Sequence, residues 1–233
     1  MALQVDYDGA TVRVILFGAT GMIGQGVLRE CLLAPDVESV LAIVRTGTGA
    51  AHAKLREVTH ADFTDLAPLE RELAGHDACF FCLGVSSAGK SEAEYTRVTY
   101  DFTMAAASML VRLNPGMTFV YVSGAGTDAS GRGRIMWARV KGRTENALLA
   151  LPFKAAYMFR PGLIQPLHGI VSRTRGYRVF YAVTRPLLPV LKALFPGSIT
   201  TTEQLGRAMI QAARDGAPKR ILDTRDINAL AKA

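Results

Sequence analysis

Trp137 and Lys141 stand four residues apart in "MWARVK", a spacing that stacks two side chains on one helical face. The ammonium carries charge and three donors, whereas an indole N–H donates only and does not ionise near neutrality. The pair therefore suits either the edge of a ligand site or the surface of a packed helix. A second stretch, Phe17-Gly18-Ala19-Thr20-Gly21-Met22-Ile23-Gly24, spaces its glycines G-x-x-G-x-x-G. Between a strand and a helix, such a turn brings backbone close to a pyrophosphate and offers it the free N–H groups and positive dipole end of the helix.

The elements that must position these residues are legible as alternating patterns. Thr11 to Phe17, Val37 to Val44, Leu55 to Val58, Ala78 to Leu83, Met117 to Ser123 and Ala155 to Phe159 are short runs rich in β-branched and aromatic residues. Helical periodicity fills the gaps, notably over Glu92 to Leu113 and Arg134 to Leu151. Strands apolar on both faces and separated by helices predict an α/β fold, a doubly wound parallel sheet covered on both sides. After Pro161 come Pro- and Arg-rich segments, then a helix over Thr202 to Arg214 capped by Thr201 or Thr202.

In that frame the glycines take separate roles. Gly18 permits the exit from the strand, Gly21 the approach of a pyrophosphate and Gly24 the close packing of helix on sheet, with Thr20, Met22 and Ile23 completing the cradle. The second strand ends Ile43-Val44-Arg45-Thr46 with no acid nearby in sequence. An arginine there pairs with a ribose 2′-phosphate, so NADP(H) is expected over NAD(H). Asp62 and Phe63, after the third strand, are placed to border an adenine, and Leu83, Gly84, Val85 and Ser86, leaving the fourth, to line a ribose.

Composition bounds the alternatives. With 233 residues, 49% of them hydrophobic, the chain can build one sizeable core. The net charge of +7 is uneven: between Glu145 and Glu203 there is no acid, while Lys154, Arg160, Arg173, Arg175, Arg178, Arg185 and Lys192 fall there. That suits an anionic ligand or surface, or a plain solvated face; no nucleic-acid signature accompanies it, so no nucleic acid is expected. Val179 to Pro196 is interrupted by charges and prolines, which argues against a spanning helix. Cys79 and Cys82 lie three apart on a strand and face opposite ways, and no further Cys or His sits at ligand spacing, so buried thiols and no metal are expected. The first residues carry no leader pattern, which makes cytoplasm the expected location.

"FGATGMIG", "YVSGAG", "WARVKGRTE" and "FRPG" together resemble the extended or atypical short-chain dehydrogenase/reductases, within them the small NAD(P)H-binding, Tat-interacting-protein-like group and its epimerase/dehydratase-like relatives. The resemblance covers residues 11 to 165 well and the tail loosely. It implies one NAD(P)-binding Rossmann domain over 1–233, with 163–233 contributing a small substrate-side lobe. It places Ser123 as the serine that holds the substrate oxygen, Lys141 as the lysine that bonds the nicotinamide ribose, and Pro161-Gly162 at the nicotinamide edge. The family's tyrosine, whose phenol exchanges a proton with the substrate while the lysine lowers its pKa, falls at Trp137. Trp137 cannot replace it as acid or base and is left to wall a substrate pocket or to cover the nicotinamide.

Other proton donors on offer are Tyr121, which shares strand parity with Ser123, Asp128 and Ser130 in the next loop, Tyr95, Tyr100, Tyr177, Tyr181 and His168. The resemblance thus implies an NADP(H)-dependent oxidoreductase or epimerase-like enzyme for a small carbonyl or alcohol. The alternative is a dinucleotide-binding regulatory or interaction protein that has lost its chemistry. A homodimer is the expected assembly.

Overall fold

The computed structural model describes residues 11–170 and 197–233. Among them a seven-stranded, wholly parallel sheet runs in the order β3-β2-β1-β4-β5-β6-β9. Its strands are β1 (Val12–Phe17), β2 (Val37–Val44), β3 (Leu55–Thr59), β4 (Ala78–Phe81), β5 (Thr118–Val122), β6 (Ala155–Arg160) and β9 (Ile221–Asp223). Chain order reverses between β1 and β4, so the crevice at their carboxyl ends is the switch point where ligands of such sheets bind. The doubly wound fold expected from the sequence is what forms.

Alternation explains why both faces bury. Val14, Leu16, Val40, Ala42, Phe80, Val120 and Phe159 point to one layer, and Ile15, Phe17, Leu41, Ile43, Cys79, Phe81, Phe119 and Tyr121 to the other. The first layer is closed by α1 (Met22–Leu33) and α6 (Thr202–Arg214). The second is closed by α4 (Phe102–Leu113) and by α5 (Met136–Leu149). Across the second face runs an aromatic row, Phe17–Phe81–Phe119–Phe153, with ring centroids 5.2, 6.0 and 5.1 Å apart. Cys79 faces this layer while Cys82 packs against the other, and burial pushes both thiols up.

The single helix expected over Glu92 to Leu113 is interrupted. A first segment, α3 (Glu92–Thr96), begins at a Ser91/Glu94 capping box, and a π turn over Arg97–Asp101 precedes α4. The Thr99 carbonyl accepts from the Thr103 hydroxyl at 2.7 Å, the threonine back-bonding that loosens a helical ladder. The short α2 (Glu70–Leu73) precedes β4.

The region 163–233 divides. β7 (Leu163–Gln165) and β8 (Ile199–Thr201) form a two-stranded parallel ribbon, whereas β9 joins the main sheet beside β6 and α7 (Thr224–Leu230) packs on α6. These three-residue strands are too short to show a period and escape sequence reading. The expected cap is real: the Thr201 hydroxyl accepts from Gln204 N at 3.0 Å, and the Gln204 Oε1 accepts from Thr201 N at 3.1 Å. Among the described residues no helix is long and apolar enough to cross a membrane; Val179 to Pro196 lies outside them.

Candidate functional site

Gly18 leaves β1 with φ 84°, and a Cβ there would stand 2.6 Å from the Leu83 nitrogen. The glycine turn therefore rests directly on the chain leaving β4, which is what brings Leu83, Gly84 and Val85 beside it. Gly84 and Val85 are exposed and Leu83 half-buried. A Cβ on Gly24 would collide with the Gly18 carbonyl and lie 2.9 Å from the Ala19 Cα. The third glycine thus lets α1 sit close on the chain leaving β1.

Close approach of α1 to its neighbour falls instead to Gly26, against Thr202 of α6. Gly21 is the N-cap of α1 and brings no capping side chain. The first amides of the helix therefore have no side-chain acceptor, and the bare N-cap fits an anion. The Thr20 carbonyl takes the Gln25 side chain at 3.0 Å, and Met22 and Ile23 pack onto the core.

Gly18→Ala is expected to cost several-fold to a hundredfold in dinucleotide affinity. A left-handed non-glycine residue alone carries ~1–3 kcal/mol of strain, and this Cβ also meets backbone. Calorimetric titration beside a thermal melt reads the effect; unchanged affinity with unchanged stability would contradict it.

Arg45 follows β2, is exposed, and makes no hydrogen bond or ion pair with a described residue. An acid does reach the loop that follows it: Glu57 on β3 accepts from the Thr48 N–H at 3.1 Å and from the Thr48 hydroxyl. Its carboxylate is thereby engaged in fixing the loop after Arg45. The Asp62 carboxylate accepts from the Thr64 amide and hydroxyl at 2.9 and 2.5 Å, which hold its pKa below the usual range. Phe63 departs from expectation. Its ring is 2% exposed and packs edge-on to Phe17 and against Phe102, so it belongs to the core and cannot border an adenine.

At the end of β5 the residues expected from the resemblance do come together. The Lys141 ammonium donates to the carbonyls of Val122 and Ser123 at 3.2 and 3.1 Å and stands 5.3 Å above the Tyr121 ring. Burial lowers its pKa to about 8, while Glu145, one turn further along α5, raises it. Glu145 is fully buried and bonded to Arg160, which ends β6, at 3.0 and 3.1 Å from Nε.

Ser123 is buried, with its hydroxyl 2.8 Å from that of Thr127, which donates to the Gly124 carbonyl at 2.7 Å. Neither Thr127 nor Glu145 was singled out from sequence. A hydroxyl four residues past the serine and a carboxylate four past the lysine were the available signals.

Trp137 is half-buried and lies over Gly126, where an added Cβ would meet Cη2 at 3.5 Å. Its outer ring thus covers the loop that follows β5. Pro161 and Gly162 are present at the end of β6, but their backbone groups are engaged: the Pro161 carbonyl accepts from Ala125 N, and Gly162 N donates to the Thr224 hydroxyl.

The alternative proton donors fare poorly. Tyr121 is 1% exposed, and burial raises its phenol far above neutrality. The Asp128 carboxylate accepts from the Ser130 hydroxyl and amide and from Gly133 N, so Asp128 and Ser130 staple their own loop, and these bonds keep the acid low. Tyr95 is buried, Tyr100 lies under the Arg143 guanidinium, and Tyr177 and Tyr181 fall outside the described residues. His168 sits 2.9 Å from Glu203. With Glu30 they bring ligand atoms within 4.8 Å of one another, but Arg29 and Arg207 already pair with these carboxylates.

Known proteins share the fold of this chain. Residues 18–150 match a family model described as NAD(P)H-binding. FMP52-2, mitochondrial, of Scheffersomyces stipitis is 28% identical over 153 residues, 64% of this chain and 65% of that protein. HTATIP2 of Rattus norvegicus is 26% identical over 166 residues, 70% of this chain and 67% of that one. In fmp52, mitochondrial, of Emericella nidulans, 28% identity extends over 206 residues, 85% of this chain and 86% of that one. The chain thus spans about two thirds of the length of the first two relatives.

Among solved structures, the Bordetella bronchiseptica enzyme WbmF in complex with NAD+ superposes with a TM-score of 0.68 at 17% identity, over 96% of this chain and 77% of that one. A UDP-N-acetylglucosamine 4-epimerase from Methanobrevibacter ruminantium gives 0.65 at 14%, over 92% and 76%. The cytoplasmic expectation is overturned: the FMP52 relatives are named mitochondrial, and the lack of a visible leader pattern was never a positive address. Glycine turn, sheet order and family model converge, and the chain belongs to the NAD(P)H-binding family, with HTATIP2 and the FMP52 proteins among its relatives.

Proposed function

We propose that this protein is an NADP(H)-dependent oxidoreductase for a small alcohol or carbonyl compound. The observation that carries the reading is the meeting of Lys141 with the Ser123 carbonyl at the carboxyl end of β5, in the sheet whose β1 end bears the glycine turn. When bound, the dinucleotide supplies or accepts the hydride. The chain's own residues do the rest. Gly18, Gly21, Gly24 and the amides opening α1 hold the pyrophosphate, Arg45 pairs with the 2′-phosphate, and Asp62 bonds near the adenine.

Leu83, Gly84 and Val85 line the ribose on the adenine side, Lys141 bonds the nicotinamide ribose, and Pro161 with Gly162 shape the nicotinamide edge. Ser123 orients the substrate oxygen and Trp137 walls the pocket, with the β7–β8 ribbon on the substrate side as part of one domain with the sheet.

The NADP(H) preference rests on Arg45 having no described partner while Glu57 is occupied by Thr48. Titrating the protein calorimetrically with NADPH and NADH tests it. Arg45→Ala should weaken NADPH about tenfold to a hundredfold, the worth of one charge-assisted bond, and leave NADH unchanged. Equal loss for both cofactors would refute the assignment.

A second reading has one observation in its favour, the tryptophan at the tyrosine position. On that reading the site binds the dinucleotide but performs no hydride transfer, and the bound state regulates a partner. NADPH binding without turnover of any carbonyl or alcohol in a broad panel would select it.

A further inference from the structure

We propose that Thr127 fixes Ser123 as a hydrogen-bond acceptor, so that this site takes a hydroxyl-bearing substrate in preference to the ketone of the same skeleton. The inference rests on the oxidoreductase reading and names its substrate class. It follows from counting protons. Thr127 has one hydroxyl proton, and the Gly124 carbonyl, 2.7 Å away, can only accept it. The 2.8 Å contact between Thr127 and Ser123 then requires the Ser123 proton. Ser123 is left with lone pairs and nothing to donate.

A carbonyl oxygen brought to Ser123 meets lone pairs against lone pairs, whereas an alcohol meets an acceptor. The Lys141 ammonium has two of its three donors on the Val122 and Ser123 carbonyls, and among the described residues the Ser123 hydroxyl is bonded to Thr127 rather than to the ammonium.

The arrangement is held from both sides. Ser123 and Thr127 are 8% and 7% exposed, so solvent has little access to exchange the partners. The backbone around them is tied by Ala125 N to the Pro161 carbonyl, by Thr127 N to the Gly124 carbonyl and by Asp128 N to the Ala138 carbonyl. Turning the pair round would cost Thr127 its bond to Gly124.

Trp137 is the one tryptophan of the chain and covers the loop that carries Thr127, which makes its fluorescence a built-in reporter. The protein is titrated, with and without saturating NADP+, with matched secondary alcohols and ketones, from isopropanol and acetone up to cyclohexanol and cyclohexanone. In the wild type the alcohols should bind roughly tenfold more tightly than their ketones, the worth of one neutral hydrogen bond. Thr127→Ser keeps the proton chain and should keep that ratio. Thr127→Val frees the Ser123 proton and should bring the ratio to about one or invert it, with NADP+ affinity unchanged; Ser123→Ala should also erase it.

A wild-type ratio of one or below, a response to neither series, or a wild-type ratio preserved in Thr127→Val would overturn the proposal. Failure to bind NADP+ would sink the nucleotide reading instead, while the ratio measured without cofactor still judges Thr127.

Discussion

Replacing Trp137 by tyrosine is expected to raise NADP+-dependent oxidation of secondary alcohols by roughly 10²–10⁴-fold, the usual contribution of a positioned acid–base group. The rest of the site is assembled without it. Lys141 lies one helical turn from position 137 on α5, already anchored at the end of β5. Its positive charge would favour the phenolate and lower the pKa of a phenol placed beside it. A tyrosine is smaller than the indole it replaces, and the indole's outer ring lies over Gly126, a loop position. The substitution therefore adds a titratable hydroxyl without requiring space in the core.

The check is a pH–rate profile of the variant against the wild type on the same alcohol panel, with Trp137→Phe as the control for lost indole packing. A gain in Trp137→Tyr alone, with a pH dependence the wild type lacks, would show that only the proton-transfer group is missing. Absence of any gain, with NADP+ still bound, would favour a site that has given up hydride transfer.

Arg160→Ala is expected to destabilise the fold by about 3–5 kcal/mol, because it strands the buried Glu145 carboxylate. Desolvating an ion is tolerable only with its partner in place, and Arg160 supplies a two-pronged one from the end of β6. Among the described residues another cation that feels this carboxylate is Lys141, whose ammonium Glu145 already favours. Loss of Arg160 leaves that carboxylate free to draw Lys141 off the Val122 and Ser123 carbonyls. Stability and cofactor binding should therefore fall together.

Urea unfolding measures the first and NADPH titration the second. Arg160→Met combined with Glu145→Met should recover most of the stability, since replacing both partners by apolar groups removes the stranded charge. A loss below about 1 kcal/mol in Arg160→Ala would mean that water reaches Glu145 and that the pair is ordinary surface electrostatics.

Particular residues show how much could be read in advance. The strand runs were visible because each alternates between two apolar faces, and the helices were visible because their apolar positions recur every third or fourth residue. Where the chain packed against itself at long range, sequence reading went astray for specific reasons. Phe63 follows a strand and precedes no recognisable helix, so it reads as a loop residue free to meet a ligand. Tertiary packing gives it Phe17 and Phe102 as neighbours. Glu57 is twelve residues from Arg45 and was not counted as near it, yet the β2–β3 pairing brings it to the same loop. The helix from Glu92 has an unbroken period, and its π turn depends on a threonine hydroxyl finding a carbonyl, which no period records.

The residue sequence by itself determined the class of fold, the glycine turn between β1 and α1 and the identities at the three family positions, because each is encoded in local spacing: glycines where backbone must pass closely, apolar residues at period two or 3.6, lysine four residues after tryptophan. Only the tertiary structure decided what surrounds them. The proton chain from Ser123 through Thr127 to Gly124, and the buried Glu145–Arg160 pair behind Lys141, are set by where β5, β6 and α5 end relative to one another. Hydrogen-bond polarity and charge burial are properties of distances between atoms, and those exist only once the sheet has closed.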